Sequence, residues 1–201
     1  VLRVDIGWLA DKRNNSIVDF GLSKSAEETF EFWDKNYTIK RMIRMVRAYK
    51  PDIIIPTFLD VNGQHGHHRS ITRATIEAYD KSNDPEMFPD DNFSPWKISQ
   101  IFLPAWSGGG GSYDDEEDPP KATHSIDVGN FNHIYGGTYN QIGEWSRSYH
   151  ATQNIGKLAY EDKMDVPLHL LKGTYVDGDI TGGIIPKNFL ELSDIAINAN
   201  G

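Results

Sequence analysis

The chain has 201 residues, 38% of them hydrophobic and 24% charged, with five Trp, nine Tyr and nine Phe, a composition too apolar for disorder and sufficient for one globular domain. Its formal net charge of −9 argues against a nucleic-acid partner, because phosphate binding needs clustered Lys and Arg. It has no Cys, which excludes disulfides and thiolate metal sites, and no run of about 18 apolar residues that would form a membrane span.

The first residue is Val, and the opening "VLRVDIGWLA" reads as mid-protein sequence, so the expectation is a fragment or a processed chain. Residues 1–20 contain short β-like pieces such as "SIVDFG". Ser25 with Glu28 three residues later predicts a capping box and a helix over about 26–49. Phe30, Trp33, Tyr37, Met42, Val46 and Tyr49 recur along it as an apolar side, and Arg41, Arg44 and Arg47 are expected on a solvated side. Pro51 ends the helix, since it lacks the N–H that the next turn requires.

"DIIIPTF" is short, β-branched and non-alternating, as expected for a strand covered on both faces. A loop, "LDVNGQHG", follows, and then a predicted helix over 67–79 that turns Ile71, Ala74, Thr75 and Ala78 inward. Helix, strand, loop and helix in this order imply an α/β layered fold with a parallel sheet. The Pro-rich stretch 84–96 reads as loop with docking aromatics, and "KISQIFLPAW" as a further strand.

"SGGGGSYDDEEDPP", from Ser107 to Pro120, reads as a surface loop; its glycines lack the Lys-Ser or Lys-Thr of a phosphate loop, and a calcium site on Asp114, Asp115 and Glu117 has little support. "HSIDVG" predicts a strand. An amphipathic helix over "YNQIGEWSRSYHATQNIG" then carries Ile142, Trp145 and Tyr149 as a stripe, with Ser146, His150 and Gln153 on another side. Beyond Asp165 the signals fade into short strands and turns. The expected division is 1–160 as the main α/β unit and 161–201 as its extension or the start of an appended region.

Three histidines crowd "DVNGQHGHHR" at the carboxyl end of the buried strand, which is where open α/β sheets bind ligands. With His67 and His68 opening a helix, His65 sits at its N-terminus, and His65 and His68 converge on one point. Imidazole pairs suit Zn²⁺, yet a catalytic zinc takes three protein ligands, so this pair is half a site. Surface or supporting histidines are the competing reading. His124-Ser-Ile-Asp127 also has chelating spacing, but residues three apart on a strand point to opposite faces.

"RAYKPDIIIPTFLDVNGQHGHHR" resembles the second motif of the LmbE / PIG-L family of metal-dependent N-acetyl-sugar deacetylases. "VDFGLSKSAEETFEFW" and "SRSYHATQNIG" are similar to a longer subgroup of that family, and the resemblance runs over residues 17–157. It implies a Rossmann-like, mostly parallel sheet flanked by helices, and zinc-dependent removal of an N-acetyl group from an amino sugar or sugar conjugate. It implies that His68 ligates the metal, and that His65 stabilises charge or protonates at the reacting centre. It also implies that His150, Gln153 and Arg147 line the substrate side, and Asp60 is a candidate site carboxylate.

Two departures stand out. His67 occupies a position where the family often has an Asp that orients the first histidine. The family's first motif, Ala-His-Pro-Asp-Asp-Glu, which supplies two ligands and the catalytic base at the end of the first strand, occurs nowhere in the chain. The expectation is therefore an N-terminal strand supplied by a preceding segment. The alternative is a non-catalytic carbohydrate-binding or scaffold relative. The longer subgroup also implies an exported, periplasmic or extracellular protein.

Overall fold

The computed structural model describes residues 2–4, 23–56, 59–89, 92–104, 120–149 and 164–183. In chain order these form β1 (Leu2–Val4), α1 (Ala26–Trp33), α2 (Lys35–Tyr49), β2 (Ile53–Pro56), α3 (Gly66–Lys81), β3 (Gln100–Pro104), β4 (His124–Asp127), β5 (Phe131–Asn132), β6 (Gly137–Thr138), α4 (Tyr139–Ser148) and β7 (Asp165–Lys172). Five strands make one sheet in the order β1-β2-β3-β7-β4, and β5 and β6 make a small hairpin.

The expected α/β layering is present, and the sheet is mixed, with one strand against the direction of the rest. β1, β2 and β3 run parallel, whereas β7 is antiparallel to both β3 and β4. The departure comes from β7, an eight-residue strand in a region read as fading into short pieces. Its Pro167 is a poor strand residue on sequence grounds. It lies one residue beyond the last β3 pair, Pro104↔Leu168, near the strand end where a missing donor is tolerated.

Alternation along the strands sorts the core. Ile54 and Ile101 face a cluster with Trp33, Ile39, Met42, Ile43, Val46, Ile71, Ala74 and Ala78 from α1, α2 and α3. Ile53 and Phe102 point the other way and join Leu168, with Ile55, Val166 and Ile180 packed around them. β2 is thus covered on both faces, as its unbroken apolar run requires. Full burial of each such Ile contributes roughly 1.5–3 kcal/mol.

The predicted helix over 26–49 is broken into two. Asp34 takes φ 58°, ends α1, and caps α2 by accepting the Tyr37 N–H at 3.1 Å. The break shifts the phase of the buried face. Met42 and Val46 remain inside with Ile39 and Ile43, while Tyr37 and Tyr49 lie exposed. At the start of α1, Ser25 accepts from the Glu28 N–H, but Glu28 reaches Lys24 N rather than Ser25 N, so the predicted box is only half made.

Arg47 also departs from its expected solvated face. It is 2% exposed, and its guanidinium donates to the carbonyls of Ser82, Asp84, Met87 and Phe88. Those contacts, with Trp96 Nε1 donating to Pro51 O at 2.8 Å, seat the Pro-rich loop against α2. α4 has its N-terminal capping box at Thr138 and Gln141 but buries none of its residues. Of its predicted stripe, Trp145 and Tyr149 lie exposed and Ile142 half-buried.

Candidate functional site

The site is assembled where β2 gives way to α3. Loop 59–65 turns at Gly63, whose φ of 90° is open to glycine and strained for other residues. His65 is the N-cap of α3, and Gly66, His67 and His68 begin the helix one residue earlier than predicted. N-cap and third-residue side chains meet across a helix's first turn, the geometry a capping box uses. Here both positions carry imidazole, and His65 makes no side-chain cap bond. The two rings face each other instead, with centroids 5.8 Å apart and planes inclined by 20°.

His67, between them, points away. It is 8% exposed and its ring lies 4.7 Å from that of Trp33, centroid to centroid. Trp33 Nε1 is buried without a hydrogen-bond partner among the described residues. The three clustered histidines are therefore two different things: a facing pair at the helix mouth and one ring in the core.

The first turn of α3 is pressed onto α1. A Cβ on Gly66 would come within 2.4 Å of both Ser25 O and Thr29 Oγ1, so the two elements approach this closely only at glycine. Gly66 N donates to Ser23 O at 2.9 Å, and Ser70 Oγ lies 3.2 Å from Ala26 O. These contacts set the height of His65 and His68 above the sheet.

Asp60, the candidate carboxylate, lies in the same loop. Its Oδ1 accepts from Arg69 Nε at 2.8 Å and its Oδ2 from Arg73 Nε at 2.5 Å. Arg69 also donates to Lys24 O at 3.0 Å, and Arg73 pairs with Glu27. The hydrogen bond that Arg73 donates to Asp60 holds its guanidinium above its ordinary pKa, and the bond from Arg73 holds the Glu27 carboxyl below its own. The sequence reading missed this network. Its signal was present: Arg69 and Arg73 are four apart and so share one helix face.

Arg147 lies on exposed α4, paired with Glu144 at 3.4 Å. α4 packs on β6, whereas α3 packs on α1, α2 and β2. His150 and Gln153, the other expected substrate contacts, lie outside the described residues, as does the acidic loop with Asp114, Asp115 and Glu117.

His124 and Asp127 do not converge. His124 is buried, its Nδ1 2.9 Å from Thr123 Oγ1 and its Nε2 3.0 Å from Val176 O. Asp127 instead accepts from the Gly129 N–H at 2.8 Å.

The donor set fits zinc in type and falls short in number. Two imidazoles would supply at most two of the three protein ligands that a catalytic zinc takes. Among the described residues, no group of three His, Asp or Glu side chains gathers at one point. No helix among them is long and apolar enough to cross a membrane.

No protein-family model matches the chain. Over 89 residues it is 28% identical to the 1D-myo-inositol 2-acetamido-2-deoxy-alpha-D-glucopyranoside deacetylase 1 of Frankia alni, a stretch covering 42% of this chain and 30% of that relative. The match thus spans less than a third of the curated relative's length. Among solved structures, the conserved protein TT1542 from Thermus thermophilus superposes with a TM-score of 0.41 at 11% identity, over 78% of this chain and 63% of that one.

Proposed function

We propose that this chain contributes part of the active site of a zinc-dependent hydrolase, one that removes the N-acetyl group from an amino sugar or sugar conjugate. The observation that carries the reading is the facing pair His65 and His68, held at the mouth of a parallel strand. The local similarity to a deacetylase supports the same class of reaction.

In this reading His68 is a metal ligand, and the remaining ligands and the proton acceptor come from residues beyond the pair. The chemistry such an ion would supply is polarisation of the acetamide carbonyl and activation of a water. His65, at the helix N-cap with its ring towards His68, is placed to donate a hydrogen bond where negative charge develops on the carbonyl oxygen, or to protonate the departing amine. Arg147, His150 and Gln153 are assigned to the sugar side. The exported location implied by the resemblance belongs to the same proposal.

The test is amine release from a panel of N-acetyl sugars by the full-length gene product, with and without chelator. Chelator-sensitive release from one class of sugar is expected. A metal-loaded protein that releases no amine from any of them overturns the hydrolase reading. It favours instead a carbohydrate-binding relative.

A further inference from the structure

The facing histidines are the N-cap and third residue of α3, and they are not held alike. His68 belongs to the body of α3, which Gly66 and Ser70 seat on α1. His65 is joined to the helix by its carbonyl, which accepts the Arg69 N–H at 3.2 Å, but its side chain makes no cap bond, so the way its ring turns depends on how the preceding loop is seated. Asp60 is the loop's ionic tie to α3. Each of its oxygens is taken by a different arginine, Arg69 and Arg73, one turn apart on α3. Arg69 extends the tie to the Asn62 side chain of the loop and to Lys24 O, and Arg73 extends it to Glu27 at the start of α1.

The polar ladder thus runs from loop to helix to helix, on side chains, beside the neutral contacts that hold α3 to α1. The Arg69 and Asp60 side chains are only 12% and 22% exposed, so this pair is more shielded than an ordinary surface one. His67, the ring between the pair, is turned into the core against Trp33 and does not stand between them.

We infer that Asp60 is a positioning residue: through Arg69 and Arg73 it latches loop 60–65 onto α3 and so sets the His65 ring opposite His68. Its importance for a metal rests on the proposed function; its effect on the two rings does not. Both its oxygens are engaged by guanidinium donors, so its contribution is to orientation rather than to proton transfer.

The experiment compares the chain with its Asp60→Asn, Asp60→Glu and Arg69→Gln variants by two readouts. The first is the nitrogen-correlated NMR signals of the histidine rings, with His124 as internal control because its ring nitrogens face Thr123 and Val176 on the far side of the sheet. The second is titration with Co²⁺ alone. In Asp60→Asn and Arg69→Gln, the His65 and His68 signals shift or broaden while those of His124 hold, and Co²⁺, still bound through His68, perturbs the His65 ring less than in the unaltered chain. Asp60→Glu recovers most of both.

Unchanged His65 and His68 signals in Asp60→Asn overturn the latch, as do equal changes at all three histidines, which mark a loss of fold. If Asp60→Asn does not fold, Arg69→Gln decides by the same signals. Wild-type chain that binds no Co²⁺ counts against the metal reading and leaves the ring signals to judge the latch.

Discussion

Two histidine environments, one buried and one at an exposed helix start, use the same side chain in opposite ways. At β4, His124 is enclosed, with Thr123 Oγ1 and Val176 O at its two nitrogens and Phe102 edge-on to its ring. Every polar atom of that ring serves the fold, tying the strand to the turn after β7. At the start of α3, His65 caps a helix without a side-chain cap bond, its ring faces His68, and charged residues brace the loop around it. A histidine enclosed by fixed partners stabilises, whereas the pair at the helix mouth is the one to which we assign chemistry.

The sharpest way to break that contrast is His68→Ala in the full-length gene product. It abolishes divalent-ion binding and leaves the unfolding midpoint close to wild type; undiminished zinc in elemental analysis refutes the assignment. His65→Ala comes next. It retains the metal and lowers turnover by roughly 10²- to 10⁴-fold, the usual range for an acid–base group. Steady-state amine release checks it, and unchanged turnover removes His65 from the chemistry.

Arg47 extends the enclosed class beyond histidine. Arg47→Met strands several buried carbonyls and costs about 3 kcal/mol, read as a shift in urea midpoint with metal binding kept. His124→Phe is smaller, at about 1–3 kcal/mol, since it keeps the ring's bulk and leaves Val176 O without its imidazole partner. A loss of Co²⁺ affinity in either variant blurs the line between the two classes.

The smallest effect is a dependence on acid. The Glu27 carboxyl is held below its ordinary value of 4.5 by its hydrogen bond to Arg73. Asp179 is held below 3.8 by the Thr181 side chain, then by the Thr181 and Gly183 backbone N–H groups. A carboxyl depressed in the fold adds stability above its unfolded value, and that stability is lost as pH falls through the folded one. Unfolding midpoints therefore decline as the pH drops below about 4.5. Arg73→Gln removes the Glu27 share and leaves that of Asp179, so the decline becomes shallower; an identical slope places the titrating groups elsewhere.

Much of this was legible in residue order, and the limits have physical causes. The strand 53–56, the inward face Ile71, Ala74, Thr75 and Ala78, and the Pro51 stop follow from period and stereochemistry, which act locally. The nearness of His65 and His68 was legible too, because N-cap and third-residue positions share one turn in any helix that starts there; which way the rings turn was not. Arg47 was misread since its neighbours in the alternation are charged, and only the fold brings four carbonyls of loop 82–88 to it. β7 was missed because a Pro within a strand is tolerated or not according to which partner strand lies beside it.

By itself, then, the sequence determined the layered class, the helix that begins at the histidines and the chemistry that imidazole offers. Only tertiary structure decided that β7 runs against its neighbours, that His67 is a core ring, and that Asp60 is tied up by two arginines. Local backbone preference depends on a few adjacent residues, whereas each of those outcomes depends on a partner far away in the chain, which local patterning does not encode.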